Sequence, residues 1–414
     1  MSAMTLTTVL LALAAIGAVL TTVQTGLVVR LLRKRDRKPR PFAPGRREPA
    51  ANGFRPAAFT TTSPRVSILK PLSGLDDGLE ENLASFARLT GVGYEVVLSA
   101  AREDDPAVAA ARRAMARFPE APFRLVVGGG TGVALSNPTV ERLVAAARAA
   151  RGDIFFVSDS NVRVEAGDVA ATVAAFADPA VGCVSNVFTG SGARSFGAAI
   201  ESLHLLTFVL PGTILAAAGG VACVVGKSMA LTRAAHDAIG GFAAFTHVLA
   251  EDQAIGCAVK AAGFRIALST VVVRNVTVTR SLGRALDRQA RWGKIRYSFS
   301  KLTYTGELLL NPLPFSLLAC GGAALGPSGL PPLPFAAAGA ILLLRLAQGF
   351  VLARVARADL TVVQLLLLPV KDLLQLATQV VPYVSREVDW QGHRARLGPG
   401  THLMPSRHVL PAAA

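Results

Sequence analysis

Apolar residues follow two patterns along this chain. Both ends carry long, nearly unbroken apolar runs, whereas the middle carries short ones set between amphipathic stretches. Residues 4–32 have no charged residue before Arg30 and are long enough to cross a bilayer. From about 65 to 275, short apolar runs predict strands at 66–69, 94–99, 123–127, 154–157, 181–187 and 228–231. Helical periodicity places helices near 79–89, 106–118, 138–151, 168–177 and 250–263. Pro106 and Pro138 suit the first turns of their helices, with Asp105 and Asn137 as caps before them. This alternation predicts a largely parallel α/β sheet. Residues 196–217 are apolar without a strand pattern, which leaves a buried helix or one lying on a membrane surface.

Beyond residue 303 the apolar runs return at 308–325, 335–355 and 360–384, with a Pro/Gly-rich turn at 327–334 between the first two. Pro369, Lys371 and Asp372 interrupt the third, which reads as a re-entrant or interfacial hairpin with its tip at 369–372. Three full crossings would put the basic tail (Arg386, Arg394, Arg396, Arg407) outside, against the positive-inside rule. The expected organisation is therefore an anchor (1–32), a basic, Pro-rich linker (33–64), an α/β domain (65–302), membrane segments (303–384) and a basic tail (385–414).

Composition agrees with a membrane protein. Of 414 residues 51% are hydrophobic, and the formal charge is +16. Arg30, Arg33, Lys34, Arg35, Arg37, Lys38, Arg40, Arg46 and Arg47 follow the first apolar run, opposed only by Asp36 and Glu48. That run places the α/β domain in the cytoplasm. No small-residue cleavage site follows the apolar run, so it reads as an anchor rather than a cleaved signal. No nucleic-acid partner is expected: no basic helix is interleaved with aromatics, no zinc-finger spacing occurs, and the charge lies beside apolar spans. Cys183, Cys223, Cys257 and Cys320 sit singly in apolar surroundings and read as reduced packing residues.

Chemistry is concentrated at four places. Asp159, in Ser158-Asp159-Ser160-Asn161, ends the fourth predicted strand, and ligands of open α/β sheets bind at such carboxyl ends. Asp104-Asp105 closes the second strand, Glu251-Asp252 opens a helix, and Arg288-Gln289-Ala290-Arg291-Trp292 lies on a helical stretch leading back to the membrane. Alone, each has a plain structural reading: a cap, a carboxylate on a helix dipole, a solvated face, an interfacial anchor. The loop Gly128–Gly130 with Gly132 matches no phosphate-binding spacing and reads as a turn. Together, in this order beside membrane segments, they fit transfer of a sugar from a nucleotide. Asp105 would bind base or ribose, and Asp159 a divalent cation (Mg2+ or Mn2+) on the diphosphate. Asp252 would be the general base, Arg291 a counter-charge for the leaving group, and Trp292 a flat surface for a sugar or membrane contact.

At these residues the sequence resembles the ceramide glucosyltransferases, glycosyltransferase family 21, and their bacterial relatives acting on sphingolipids or hopanoids. The family pattern of three spaced aspartates and (Q/R)xxRW falls on Asp105, Asp159, Asp252 and Arg288–Trp292. Val66-Ser67-Ile68-Leu69-Lys70-Pro71-Leu72-Ser73-Gly74 and Cys223-Val224-Val225-Gly226, with Ser228 and Met229, also match. The resemblance implies a GT-A catalytic domain with N- and C-terminal transmembrane helices, in the bacterial inner membrane and facing the cytoplasm. It implies inverting transfer of glucose from UDP-glucose to a ceramide-like lipid, with Asp252 as base and Arg288, Arg291 and Trp292 at the donor–acceptor site. Two positions depart from it. Thr139 stands where the family often has lysine, and 208–211 lacks the histidine that animal members carry before a proline. A hopanoid or other lipid acceptor, a UDP-GlcNAc or UDP-galactose donor, a processive polysaccharide synthase and a non-catalytic scaffold are the alternatives.

Overall fold

The computed structural model describes residues 3–34, 65–128, 135–325, 332–390 and 393–405. Most of the expected linker, the glycine loop from 129 to 132, the start of the 327–334 turn and Arg407 lie outside the described residues. Among the described residues eight strands form the central sheet: β1 (Val66–Leu72), β2 (Tyr94–Ala100), β3 (Phe123–Val127), β4 (Ile154–Ser158), β5 (Val162–Arg163), β6 (Val181–Ser191), β7 (Ser228–Thr232) and β8 (Arg265–Val276). Their order is β3-β2-β1-β4-β7-β6-β8-β5. Every residue of β1 and β4 is buried, as befits strands covered on both faces.

Side chains alternate across the sheet with the strand period of two. Ile68, Val96 and Phe156 enter one core, while their neighbours Leu69, Val97 and Phe155 enter the other. Truncating a fully buried phenylalanine such as Phe155 to alanine would cost about 3–5 kcal/mol. The expected helices are present with shorter ends, among them Pro106–Arg117, Pro138–Ala149 and Glu251–Ala261. Both expected caps form: Asp105 accepts from the Ala107 amide, and Asn137 from Thr139 and Val140.

The sheet is mixed rather than largely parallel. β1 pairs in parallel with β2 and β4, but β7 runs antiparallel between β4 and β6. Strand direction follows from the connection, not from the apolar run itself, so short runs of one kind serve either direction. β8, the longest strand, was not among the predicted ones; its sequence mixes Arg265, Ser269, Thr270, Arg274 and Asn275 with the apolar residues.

Met4–Leu32 and Pro332–Val355 are long and apolar enough to cross a membrane. The Lys301–Leu310 and Pro312–Ala324 pair passes the same test together but is bent by 70°. Phe196–Ala218 also passes, yet 83% of its apolar window is buried inside the protein, so it is the buried helix of the two alternatives. The 360–384 segment is not a hairpin with its tip at Pro369–Asp372. Pro369 stands in the first turn of one helix, Leu368–Val384, whose inner face buries Lys371 and Asp372. Arg345 Nε lies 3.0 Å from Asp372 Oδ2 and Lys371 Nζ 2.6 Å from Oδ1. Mutual pairing offsets the desolvation of these charges and lets a polar stretch sit in the interior. Part of the expected basic tail is also structured: β9 (Glu387–Trp390), β10 (His393–Leu397) and β11 (Leu403–Pro405) form a separate antiparallel sheet.

Candidate active site

A cavity of about 2710 Å³ opens at the C-terminal ends of β1 and β4. Strand register decides its floor. Because β7 is antiparallel to β4, Ser228 at the start of β7 faces Ser158 at the end of β4. The residue before one therefore lies beside the residue after the other: Lys227 Nζ is 2.6 Å from Asp159 Oδ2 and donates to Asn161 Oδ1 at 2.8 Å. From β1, Lys70 Nζ donates to the Asp159 carbonyl oxygen at 2.7 Å and to Ser158 Oγ at 3.2 Å. Burial lowers the pKa of both lysines, Lys70 to about 7. Asp159 itself keeps a third of its side chain exposed, on the cavity wall.

The second wall is the start of helix Glu251–Ala261. Asp252 accepts the Gly226 amide on Oδ2 at 2.7 Å and the Gln253 amide on Oδ1 at 2.8 Å. A Cβ at Gly226 would meet Asp252 Oδ2 at 3.1 Å, so glycine permits this close approach. Glu251 Oε2 accepts from Asn137 Nδ2 at 2.9 Å. Burial raises both carboxyl pKa values, that of Glu251 to about 8 with the Asp252 charge adding to the effect.

Opposite stands helix Leu282–Phe299, which turns Arg284, Arg288 and Arg291 into the cavity at helical spacing. Arg288 Nη1 donates to Glu201 Oε1 at 2.8 Å, and its guanidinium lies 4.7 Å from the centre of the Trp292 ring. Arg280 Nη1 is 2.7 Å from Glu201 Oε2, an ion-pair contact without hydrogen-bond alignment. Arg291, lowered to about 10 by burial, has no hydrogen-bond or ion-pair partner among the described residues.

The structure thus brings Asp159, Asp252, Arg288, Arg291 and Trp292 to one cavity. Asp105 is not on its lining. Its Oδ1 accepts both the Ala107 amide and the Gly74 amide, each at 2.9 Å, so it caps a helix and pins the turn after β1. Ser73 and Leu75, on either side of Gly74, do line the cavity. Lys70, Lys227, Arg280 and Glu201 were missed by the sequence reading. Lys227 lay inside the matched stretch between Gly226 and Ser228; Glu201 had no signal, being one acid in an apolar helix.

Among the described residues no group of three or more His, Cys, Asp or Glu side chains is placed to hold a metal. A hard cation bound through one carboxylate, substrate phosphates and water needs no such cage. The exposed part of Asp159 suits that mode.

A sheet with Asp159 at the carboxyl end of β4, faced by a basic helix and accompanied by helices long and apolar enough to cross a membrane, fits a glycosyltransferase of the GT-A fold. The chain belongs to Glycosyl transferase family 21, whose pattern it matches over residues 9–403. It is 30% identical to ceramide glucosyltransferase 3 of Caenorhabditis elegans over 262 residues, 62% of this chain and 55% of that one. It is 28% identical to ceramide glucosyltransferase 1 of the same organism over 242 residues, 57% and 50% of the two chains. The chain spans about half the length of these curated relatives. Among solved structures, the mannosyltransferase PcManGT from Pyrobaculum calidifontis, in complex with GDP-Man and Mn2+, aligns over 90% of this chain and 99% of its own, with 20% identity and a TM-score of 0.44. Glucosyl-3-phosphoglycerate synthase from Mycobacterium tuberculosis, with Mn2+, UDP and glucosyl-3-phosphoglycerate, covers 62% and 80% with 16% identity and a TM-score of 0.36.

Proposed function

We propose that the protein moves glucose from UDP-glucose to the primary hydroxyl of a ceramide-like lipid, with inversion. The observation that carries this reading is the continuity of one cavity. It is lined both by Asp159 and Asp252 and by apolar residues that include Leu20 of the first helix, Leu215 and Leu310. At about 2710 Å³ it far exceeds the roughly 300–1,000 Å³ of a single small-molecule pocket, which leaves room for a donor and a lipid acceptor together.

In this reading Asp252 accepts the proton of the acceptor hydroxyl while the hydroxyl oxygen bonds to the sugar's anomeric carbon. The bond from that carbon to the β-phosphate oxygen breaks, and UDP leaves with the electron pair. The Gly226 and Gln253 amides hold both Asp252 oxygens and fix the direction of proton acceptance. Lys227 and Arg291, which has no hydrogen-bond or ion-pair partner among the described residues, place positive charge where the diphosphate accumulates negative charge. Arg288, already neutralised by Glu201, serves more to hold Trp292 than to bind phosphate. Asp159 would hold a divalent cation, which would supply further positive charge against the leaving group. Residues 65–302 would form the catalytic domain, facing the cytoplasm at a bacterial inner membrane.

Purified protein incubated with UDP-glucose and ceramide should yield a lipid carrying one hexose, detected by thin-layer and mass analysis. A polymeric product, or transfer only to a hopanoid or from UDP-GlcNAc or UDP-galactose, would displace this assignment. Thr139 and Phe208, at or beside the two departures from the family pattern, both line the cavity, so they are where a different donor or acceptor preference would arise.

A further inference from the structure

The connection between β10 and β11 meets the carboxylate segment at a strained residue. Thr401 has φ +62°, in the left-handed region that β-branched residues avoid, and it is fully buried. Outliers of this kind persist only where their surroundings enforce them, and they gather at functional sites. Here the strained residue makes two contacts to one short segment. Its carbonyl oxygen accepts the Leu249 amide at 3.0 Å, and its Oγ1 accepts the Ala250 amide at 3.2 Å. Ala250 is the residue before Glu251 and Asp252. The Leu403 amide also donates to the His247 carbonyl at 2.8 Å, and Val248 bridges His402.

The sheet is itself held from the opposite wall. Val388, Ala395 and Leu397 pack with Leu249 and Ile295 in a small core of their own. Lys294 Nζ donates to the Glu387 carbonyl at 2.5 Å. The C-terminal sheet thus joins helix Leu282–Phe299, which carries the arginines, to the segment carrying the carboxylates, and Glu387 and Asp389 complete that side of the cavity.

We infer that this sheet is a clasp fixing the spacing between the two walls, with Thr401 as the positioning residue for Glu251 and Asp252. The inference rests on the proposed role of those carboxylates. Glycine tolerates the left-handed backbone but lacks the hydroxyl, so Thr401→Gly removes the Ala250 contact while relieving strain. Misplacing a reacting group by about 1 Å can cost on the order of 100-fold in rate.

The test uses the full-length enzyme in detergent, with ceramide and UDP-glucose. T401G should retain the wild-type unfolding temperature and the KM for UDP-glucose while kcat falls on the order of 10- to 100-fold. T401S, which keeps the hydroxyl, should turn over within about twofold of wild type. A merely structural Thr401 would lower the unfolding temperature and leave turnover per folded molecule unchanged; T401G with wild-type kcat overturns the proposal. Amide exchange across 248–256 decides independently of activity: faster exchange in T401G than in T401S supports the clasp, and equal exchange overturns it. Should the wild-type enzyme transfer glucose to no lipid, the proposed function fails, and the exchange comparison still judges the clasp.

Discussion

Replacing Asp252 with asparagine removes the proton acceptor with the least change in shape. The oxygen of asparagine can keep one of the two amide hydrogen bonds, from Gly226 or Gln253, while its NH2 group faces the other amide. That mismatch costs about 1–3 kcal/mol, offset by no longer burying a carboxyl beside Glu251, so the variant should fold. General-base catalysis contributes about 10²–10⁴-fold. At 1.36 kcal/mol per decade the barrier should rise by about 2.7–5.4 kcal/mol. UDP binding should stay within about threefold of wild type, because Lys227 and Asp159 are untouched. Transfer of radiolabelled glucose and equilibrium UDP binding, measured on the same preparation, give both numbers. Because the Asp252 charge helps raise Glu251, the Glu251 carboxyl falls below its value of about 8 in D252N. Any residual activity supported by Glu251 should therefore extend to lower pH than in the wild type. Parallel loss of UDP binding would remove Asp252 from the base role, and a large loss in E251Q with a small one in D252N would hand that role to Glu251.

The raised Glu251 pKa also bears on stability. Between the ordinary carboxyl value of 4.5 and about 8 the folded state keeps a proton that the unfolded chain has released, so this group's contribution declines as pH rises through that window. E251Q should flatten the fall in unfolding temperature between pH 5 and 9; an unchanged slope would refute the assignment. Glu201→Ala leaves the Arg280 and Arg288 guanidiniums without their shared carboxylate, at a cost of about 3–5 kcal/mol in thermal unfolding. Adding Arg288→Met to E201A should cost less than the sum of the two single changes, and strict additivity would show that the pair does not interact. Asp105→Ala should lose about 1 kcal/mol of stability, as for a lost helix cap, with turnover reduced less than in Asp159→Ala. Chelation should silence the wild-type enzyme and added Mg2+ or Mn2+ restore it; if D105A and D159A fail equally at saturating donor, Asp105 touches substrate after all.

Much of this molecule was legible in the chain because its signals are local. A helix needs only residues three and four apart to share a face, and a buried strand only a short apolar run, so six central strands and the first long apolar helix could be placed from such patterns. Asp105 and Asn137 declared themselves as caps by standing before Pro106 and Pro138. The position of Asp159 at a strand end was equally local. Tertiary structure alone decided which way β7 runs, and hence that Lys227 pairs with Asp159. It alone turned Asp105 toward Gly74 rather than into the cavity, joined Glu201 to two arginines from a distant helix and its approach, and folded 393–405 back onto the carboxylate segment. These outcomes depend on pairings between residues tens to hundreds of positions apart. A hydrogen bond or ion pair across such a separation imposes no periodicity on the sequence around either partner, so only the assembled fold reveals it.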